Sequence, residues 1–213
     1  MKRPRVLLAD DHRMVAEGLR SLLDPEFELL PVVENGLALI EAAKKLRPDV
    51  IVTDISMPQL NGLDAVALLR KDNPRVKVVF LTMHQEVEYA RRALDAGASG
   101  FVLKHSAPAE LVTAIRAALD GQTYLTPSLT GAVLHAIRSD PQSARDPVAS
   151  LTTRQREVLQ LFAEGRSAKE IAEALAISVR TVEFHKYKMM ETLGMHNSTE
   201  LTHFAIKHGI VRI

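Results

Sequence analysis

Pro48-Asp-Val-Ile-Val-Thr-Asp54-Ile-Ser-Met-Pro-Gln-Leu-Asn-Gly62 is the stretch on which the reading of the fold turns. Val50 to Val52 is a β-branched apolar run, the composition of a strand buried on both faces of a parallel sheet. The run ends at Asp54. Pro58 and the pair Asn61-Gly62 then supply loop chemistry before a helical pattern begins. A carboxylate is thus placed just past the C-terminal end of a buried strand, the edge where open α/β sheets bind ligands. That placement points to Asp54 as a nucleophile accepting a phosphoryl group.

The same alternation extends in both directions. Strands are predicted over residues 5–9, 27–33, 49–53, 76–81 and 101–103, with helices over 12–23, 36–46, 63–71, 86–95 and 108–119. Five strand–helix pairs at this spacing make a doubly wound parallel sheet. The residue that follows each strand is informative: Asp10 and Asp11 after the first, Asp54 after the third, Thr82 after the fourth, Lys104 after the fifth. In a parallel sheet these gather at one edge. An aspartate pair after a strand is by itself more often a helix cap than a metal site. A threonine or lysine there is usually solvated. Four strand ends carrying this set together is what those readings do not explain.

Phosphoryl transfer onto a carboxylate asks the protein for positioning and charge stabilisation. Three carboxylates in one pocket repel one another, and a hard divalent cation relieves the repulsion. Mg²⁺ suits oxygen ligands. Asp11 and Asp54, with Asp10 through water and the Ser56 backbone carbonyl, are the expected ligands. Lys104 would neutralise a phosphoryl oxygen and Thr82 would donate a hydrogen bond to another.

Beyond residue 120 the pattern loosens. Residues 129–137 fit a short helix, and residues 139–150, with two prolines and no periodicity, read as a linker. Residues 151–213 carry only helical patterns. Helices are expected from Thr152 or Thr153 to about residue 163, over 168–175, over 179–193 behind a Ser178 cap, and from Ser198 or Thr199 to near Gly209. A short helix, a tight turn and a longer helix form a helix-turn-helix. On the longer helix, Val182, Lys186, Met189 and Leu193 share one side. Arg180, Glu183, Phe184, Tyr187 and Glu191 share the other. Aromatic rings among charges on a solvent face suit base recognition: phenylalanine against a thymine methyl, Glu183 toward cytosine N4, Arg180 and Lys188 toward guanine or phosphate.

Composition sets the outer bounds. The 213 residues hold no cysteine, which rules out disulfides and thiolate metal sites. No apolar run approaches the ~20 residues of a membrane span, and the short run from Val6 to Ala9 is a strand rather than a signal peptide. A cytoplasmic protein without membrane contact is expected. Net charge is +1 overall. Residues 151–213 carry 9 Lys+Arg against 7 Asp+Glu, a footprint too weak to announce DNA binding by itself.

Asp10-Asp11, Thr53-Asp54-Ile-Ser-Met-Pro with Asn61-Gly62, Leu81-Thr82, and Gly97-Ala-Ser-Gly-Phe-Val-Leu-Lys104 together resemble the receiver domain of bacterial response regulators. The run from Leu151, with Gly165-Arg-Ser-Ala-Lys-Glu-Ile-Ala, Ser178-Val-Arg-Thr-Val-Glu-Phe-His and Leu193-Gly-Met-His-Asn-Ser-Thr-Glu-Leu, resembles the LuxR-type helix-turn-helix. The whole resembles a NarL/FixJ-family response regulator. The resemblance implies a flavodoxin-like doubly wound five-stranded sheet of order 2-1-3-4-5 over residues 1–120. It further implies a linker over 121–150 and an all-α four-helix DNA-binding domain over 151–213. It implies a non-enzymatic transcription regulator. A histidine kinase would phosphorylate Asp54 in the presence of Mg²⁺, and the activated protein would dimerise and bind double-stranded DNA at inverted or direct half-sites. Thr82 and Phe101 would form the switch, with Phe101 lacking the hydroxyl of a tyrosine. Ser56 and His84 would tune hydrolysis of the phosphoryl group. Lys169, Thr181, Lys186 and Lys188 would contact phosphates, and Arg180, Glu183, Phe184 and Tyr187 would face the major groove. His105 follows Lys104 where many receivers have proline, which leaves no reason for a cis bond there. The aspartyl-phosphate hydrolases of the haloacid dehalogenase type are the enzymatic rival. Their Asp-x-Asp motif is missing, because Ser56 stands where the second aspartate is needed. An adaptor with a degenerate reader helix and a regulator independent of phosphorylation are the remaining alternatives.

Overall fold

The computed structural model describes residues 3–139 and 147–211, which form two compact units divided between these ranges. The first unit is a six-stranded parallel sheet of order β2-β1-β3-β4-β5-β6. Its elements are β1 (Arg5–Ala9), α1 (Arg13–Leu23), β2 (Glu28–Leu29), α2 (Gly36–Leu46), β3 (Val50–Thr53), α3 (Gly62–Asp72), β4 (Lys77–Thr82), α4 (Val87–Asp95), β5 (Gly100–Leu103), α5 (Ala107–Leu119), β6 (Tyr124–Leu125) and α6 (Pro127–Ser139).

Alternation along the strands sorts the core into two layers. Leu7, Ile51, Val78, Phe80 and Phe101 pack in one apolar cluster with residues of α2, α3, α4 and α6. Val6, Leu8, Val50, Val52, Val79, Leu81 and Val102 pack in the other with residues of α1 and α5. Register brings the functional ends level. Ala9 pairs with Thr53, so Asp10 and Asp54 leave neighbouring strands side by side.

Asparagine side chains start two of the helices. Asn35 accepts the amide of Ala38, and Asn61 accepts that of Asp64. Between β3 and α3 the chain doubles back on Asp54. The Gly62 amide donates to the Ile55 carbonyl at 2.7 Å, and a Cβ on Gly62 would stand 2.0 Å from the Asp54 carbonyl oxygen. Only glycine admits this approach.

Three predicted elements differ. Strand β2 is shorter than the apolar run over 27–33, because Pro31 has no N–H to give the ladder. Pairing resumes beyond it, with Val33 donating to Leu8 and accepting from Asp10. The predicted five-stranded sheet gains a sixth strand, and the predicted short helix is found as α6, so residues 124–139 are paired and packed within the first unit rather than strung between units. Of the rest of the predicted linker, residues 140–146 lie outside the described residues, and Pro147–Ser150 form a 3-10 turn whose Val148 is buried in the core of the second unit. No cis peptide occurs among the described residues.

The second unit is helical: α7 (Thr153–Ala163), α8 (Ala168–Ala174), α9 (Val179–Leu193) and α10 (Ser198–Lys207). Thr152 and Gln155 form a capping box for α7, and Ser167 and Glu170 form another for α8. Ser178 caps α9, which ends at Gly194 in the left-handed conformation. The last helix is capped by Asn197, not by Ser198 or Thr199 as the sequence suggested. Its side chain accepts the Glu200 amide, so the cap stands one residue ahead of Ser198, the earlier of the two predicted. A core of Val158, Leu159, Leu161, Ile171, Val182, Met189, Leu201 and Phe204 joins the four helices.

Candidate functional site

At the C-terminal edge of the sheet, Asp54 is 1% exposed and Asp10 1% exposed. Asp54 Oδ1 accepts the amides of Ile55 at 2.6 Å and Ser56 at 3.3 Å. The Lys104 ammonium donates to Asp54 Oδ2 at 2.6 Å and stands 2.8 Å from Asp10 Oδ2. Burial pushes the Asp54 carboxyl up, and Lys104 pulls it back without fully offsetting the push. Burial opposes the charge on Lys104, but Asp54 and Asp10 outweigh it and raise the ammonium above its ordinary value. Lys104 thus bridges the two buried carboxylates.

Asp11 stands beside them, more exposed. Asp10, Asp11, His12 and Asp54 each offer a donor atom, all within 4.8 Å of one another. Asp10 Oδ2 and Asp11 Oδ1 are buried and accept no well-aligned hydrogen bond, although Lys104 and His12 Nδ1 lie at 2.8 and 2.9 Å. Oxygen atoms of this kind, in excess of the hydrogen bonds offered to them, are what a hard cation takes. The donor set thus fits Mg²⁺. His12 was not singled out from the sequence, although it directly follows the aspartate pair. Its amide donates to Asp10 Oδ1 at 2.9 Å and its ring lies against Asp11.

A second group overlooks the first. Ser56 Oγ and His84 Nε2 are 2.8 Å apart, and the His84 ring stacks on Tyr89 of α4 at 4.0 Å between centroids. The His84 amide donates to Thr82 Oγ1 at 3.2 Å. The sequence placed Ser56 and His84 at the rim of the pocket. It gave no sign that they bond to each other, because the contact joins two different strand ends. Phe101 is fully buried within the apolar cluster on the α4 side of the sheet.

In the second unit the exposed face of α9 carries Arg180, Glu183, Phe184, Tyr187 and Glu191, the set the helical spacing predicted. Phe184 is 56% exposed and Tyr187 63% exposed. Val182 and Met189 are buried on the opposite side, where the Lys186 ammonium lies 5.0 Å from the centre of the Phe162 ring. Lys186 also reaches Glu183 at 3.9 Å, and Lys188 is paired with Glu191 at 2.6 Å. Both lysines are thus paired with a carboxylate of their own helix. Thr181 bonds the capping hydroxyl of Ser178, and Lys169 is exposed on α8. On the inner side of α9, burial and then the nearby Arg154 lower the His185 imidazole.

Comparison with known proteins follows the two units. Residues 6–116 match the family model described as "Response regulator receiver domain" and residues 149–205 the one described as "Bacterial regulatory proteins, luxR family". The response regulator UvrY of Escherichia coli K12 is 34% identical over 208 residues, covering 96% of this chain and 94% of that protein. The transcriptional regulatory protein MctR of Rhizobium johnstonii is 36% identical over 209 residues, covering 97% and 95%. Among solved structures, RcsB from Salmonella enterica serovar Typhimurium, bound to promoter P1flhDC in the presence of the phosphomimetic BeF3−, is similar. It has a TM-score of 0.62 at 29% identity, over 97% of this chain and 100% of that one.

Proposed function

The chain belongs to the NarL/FixJ family of response regulators, a receiver domain joined to a LuxR-type DNA-binding domain that regulates transcription, and we propose that Asp54 is its phosphoacceptor and α9 its reader of DNA. The observation that carries the first part is the pocket itself, a buried carboxylate held by two backbone amides and one lysine beside two further aspartates.

In the transfer, a carboxylate oxygen of Asp54 attacks the phosphorus of a kinase phosphohistidine. The P–O bond forms as the P–N bond breaks, and its electron pair returns to the departing imidazole nitrogen. It is the carboxylate form of Asp54 that attacks, and Lys104 at 2.6 Å favours that form against the push of burial. The amides of Ile55 and Ser56 fix the plane of the carboxylate. Lys104 is placed to follow the negative charge onto a phosphoryl oxygen, and the Thr82 hydroxyl supplies a further donor. Asp10, Asp11, Asp54 and the Ser56 carbonyl would hold Mg²⁺, which when bound would supply positive charge to balance that of the transferred group. On α9, Glu183, Phe184 and Tyr187 face bases with Arg180. Lys169, Thr181, Lys186 and Lys188 contact phosphates and so position without specifying. Phosphorylation shifts the chain toward a dimer that engages two half-sites. Relatives solved as "two RcsB dimers bound to two parallel DNAs" support the dimeric assembly.

The test uses the full chain with Mg²⁺ and a small acyl phosphodonor, reading intact mass and retention on a pool of random-sequence duplexes at moderate salt. Wild type is expected to gain one phosphoryl group and Asp54→Asn none. Phe184→Ala with Tyr187→Ala is expected to keep the phosphoryl group and lose sequence-selective retention. Labelling of Asp54→Asn equal to wild type overturns the site, and undiminished selectivity in the double variant overturns the reader face.

A further inference from the structure

The sixth strand lies on the edge of β5, directly beside the lysine that holds Asp54. Two rungs are ordinary: Tyr124 donates to the Ser99 carbonyl and Thr126 to the Phe101 carbonyl, each at 3.0 Å. The next rung is not. The Thr126 carbonyl, which would continue the ladder, is turned into α6 and accepts the amide of Leu129 at 2.9 Å. The Thr126 hydroxyl takes its place, accepting the Leu103 amide at 3.2 Å and donating to Glu110 Oε2 of α5 at 2.8 Å. Thr126 is 1% exposed, so a lost bond here leaves a buried donor unpaired. Glu110 also holds the Tyr124 phenol, whose pKa is raised by burial and then by that carboxylate.

Leu103 immediately precedes Lys104. The hydroxyl that closes β6 onto β5 therefore bonds the residue next to the lysine whose ammonium Asp54 and Asp10 share. Beyond Thr126, α6 lays Leu129 and Val133 into the same apolar cluster as Phe101 and Tyr89. Tyr89 in turn stacks on His84, which bonds Ser56 two residues past Asp54. Segment 124–139 thus touches the surroundings of Asp54 from both sides, through the end of β5 and through α4.

We infer that Thr126 is a positioning residue, a latch by which the state of Asp54 reaches segment 124–139, the last described part of the first unit before the chain passes to the second. The inference rests on Asp54 being the phosphoacceptor. A phosphoryl group on Asp54 draws Lys104 away from its present pair of carboxylates, shifts the Leu103 amide relative to the Thr126 hydroxyl, and opens the β6 edge with α6. The occupant of the α4–β5 edge in the unphosphorylated chain is this chain's own segment. Its release changes the tether of the DNA-binding unit.

Hydrogen exchange of the full chain, read by peptide, tests this in wild type, Thr126→Val and Thr126→Ser, with and without Mg²⁺ and an acyl phosphodonor. Without donor, Thr126→Val should exchange amides 124–139 at least tenfold faster than wild type. Thr126→Ser, which keeps the hydroxyl, should match wild type, and amides of β1 and β3 should be unchanged in all three. With donor, wild type should reach the rate of Thr126→Val, and that variant should gain nothing more. Unchanged protection of 124–139 in wild type whose Asp54 is shown by mass to be phosphorylated overturns the inference. So does equal protection in Thr126→Val and Thr126→Ser. If mass shows no phosphorylation of Asp54, the phosphoacceptor reading fails and the coupling fails with it, whatever the valine and serine variants show of the latch.

Discussion

Lys104 carries more of the pocket's electrostatics than its place at a strand end suggests. One ammonium answers two buried carboxylates, with a third beside them. A divalent cation at the three aspartates would relieve the same repulsion. Binding at 100 times the dissociation constant stabilises a folded protein by about 2.7 kcal/mol. Mg²⁺ is therefore expected to raise the melting temperature of wild type by several degrees, at roughly 2–4 °C per kcal/mol. Asp11→Asn should remove most of that rise while melting close to wild type in chelator. A rise equal in both proteins, followed by calorimetry, would place the cation elsewhere. The hydrogen bond between Ser56 and His84 belongs to the same scale. It fixes the His84 imidazole beside Ser56, two residues past Asp54, the place from which we propose that the pair tunes hydrolysis of the phosphoryl group. Replacing both residues by alanine is expected to change the decay rate of the phosphorylated protein several-fold while leaving its formation intact. An unchanged rate, followed by intact mass over time, would refute a tuning role.

Among the elements, the β3–α3 connection constrains the site most tightly. Gly62 lies against the backbone of Asp54 itself, so a methyl group there has no flexible neighbour to displace. Gly62→Ala is expected to destabilise the first unit by more than about 4 kcal/mol, the range of severe single substitutions. The second unit should be unaffected, with its own unfolding step preserved in a denaturant titration. A single variant with wild-type midpoint would show that the loop can relax. Much at this scale was legible in the sequence. Val50 to Val52, the Ser178 cap and the 3.6-residue spacing in α9 each state a local preference that the fold obeys. What was not legible is tertiary. The two residues of β6 carry no periodicity, and they become a strand only because β5 offers an unpaired edge. The same holds for His84, whose partners Ser56 and Tyr89 come from other elements, and for Asn197, where three adjacent capping residues left the start of α10 ambiguous.

Across the molecule, the pocket and the exposed face of α9 are sites on separate units, and we propose that a change of state at Asp54 joins them. The strand ends revealed the pocket because a parallel sheet must bring them to one edge. The coupling was hidden, because it depends on where residues 124–139 dock. An account in which phosphorylation of Asp54 drives assembly on DNA is tested most directly by molecular mass in solution. Sedimentation equilibrium of wild type and Asp54→Ala, each with and without Mg²⁺ plus an acyl phosphodonor, gives the answer in one experiment. The mass is expected to double only in donor-treated wild type. A dimer in all samples, or a monomer in wild type whose Asp54 is fully phosphorylated, would contradict it.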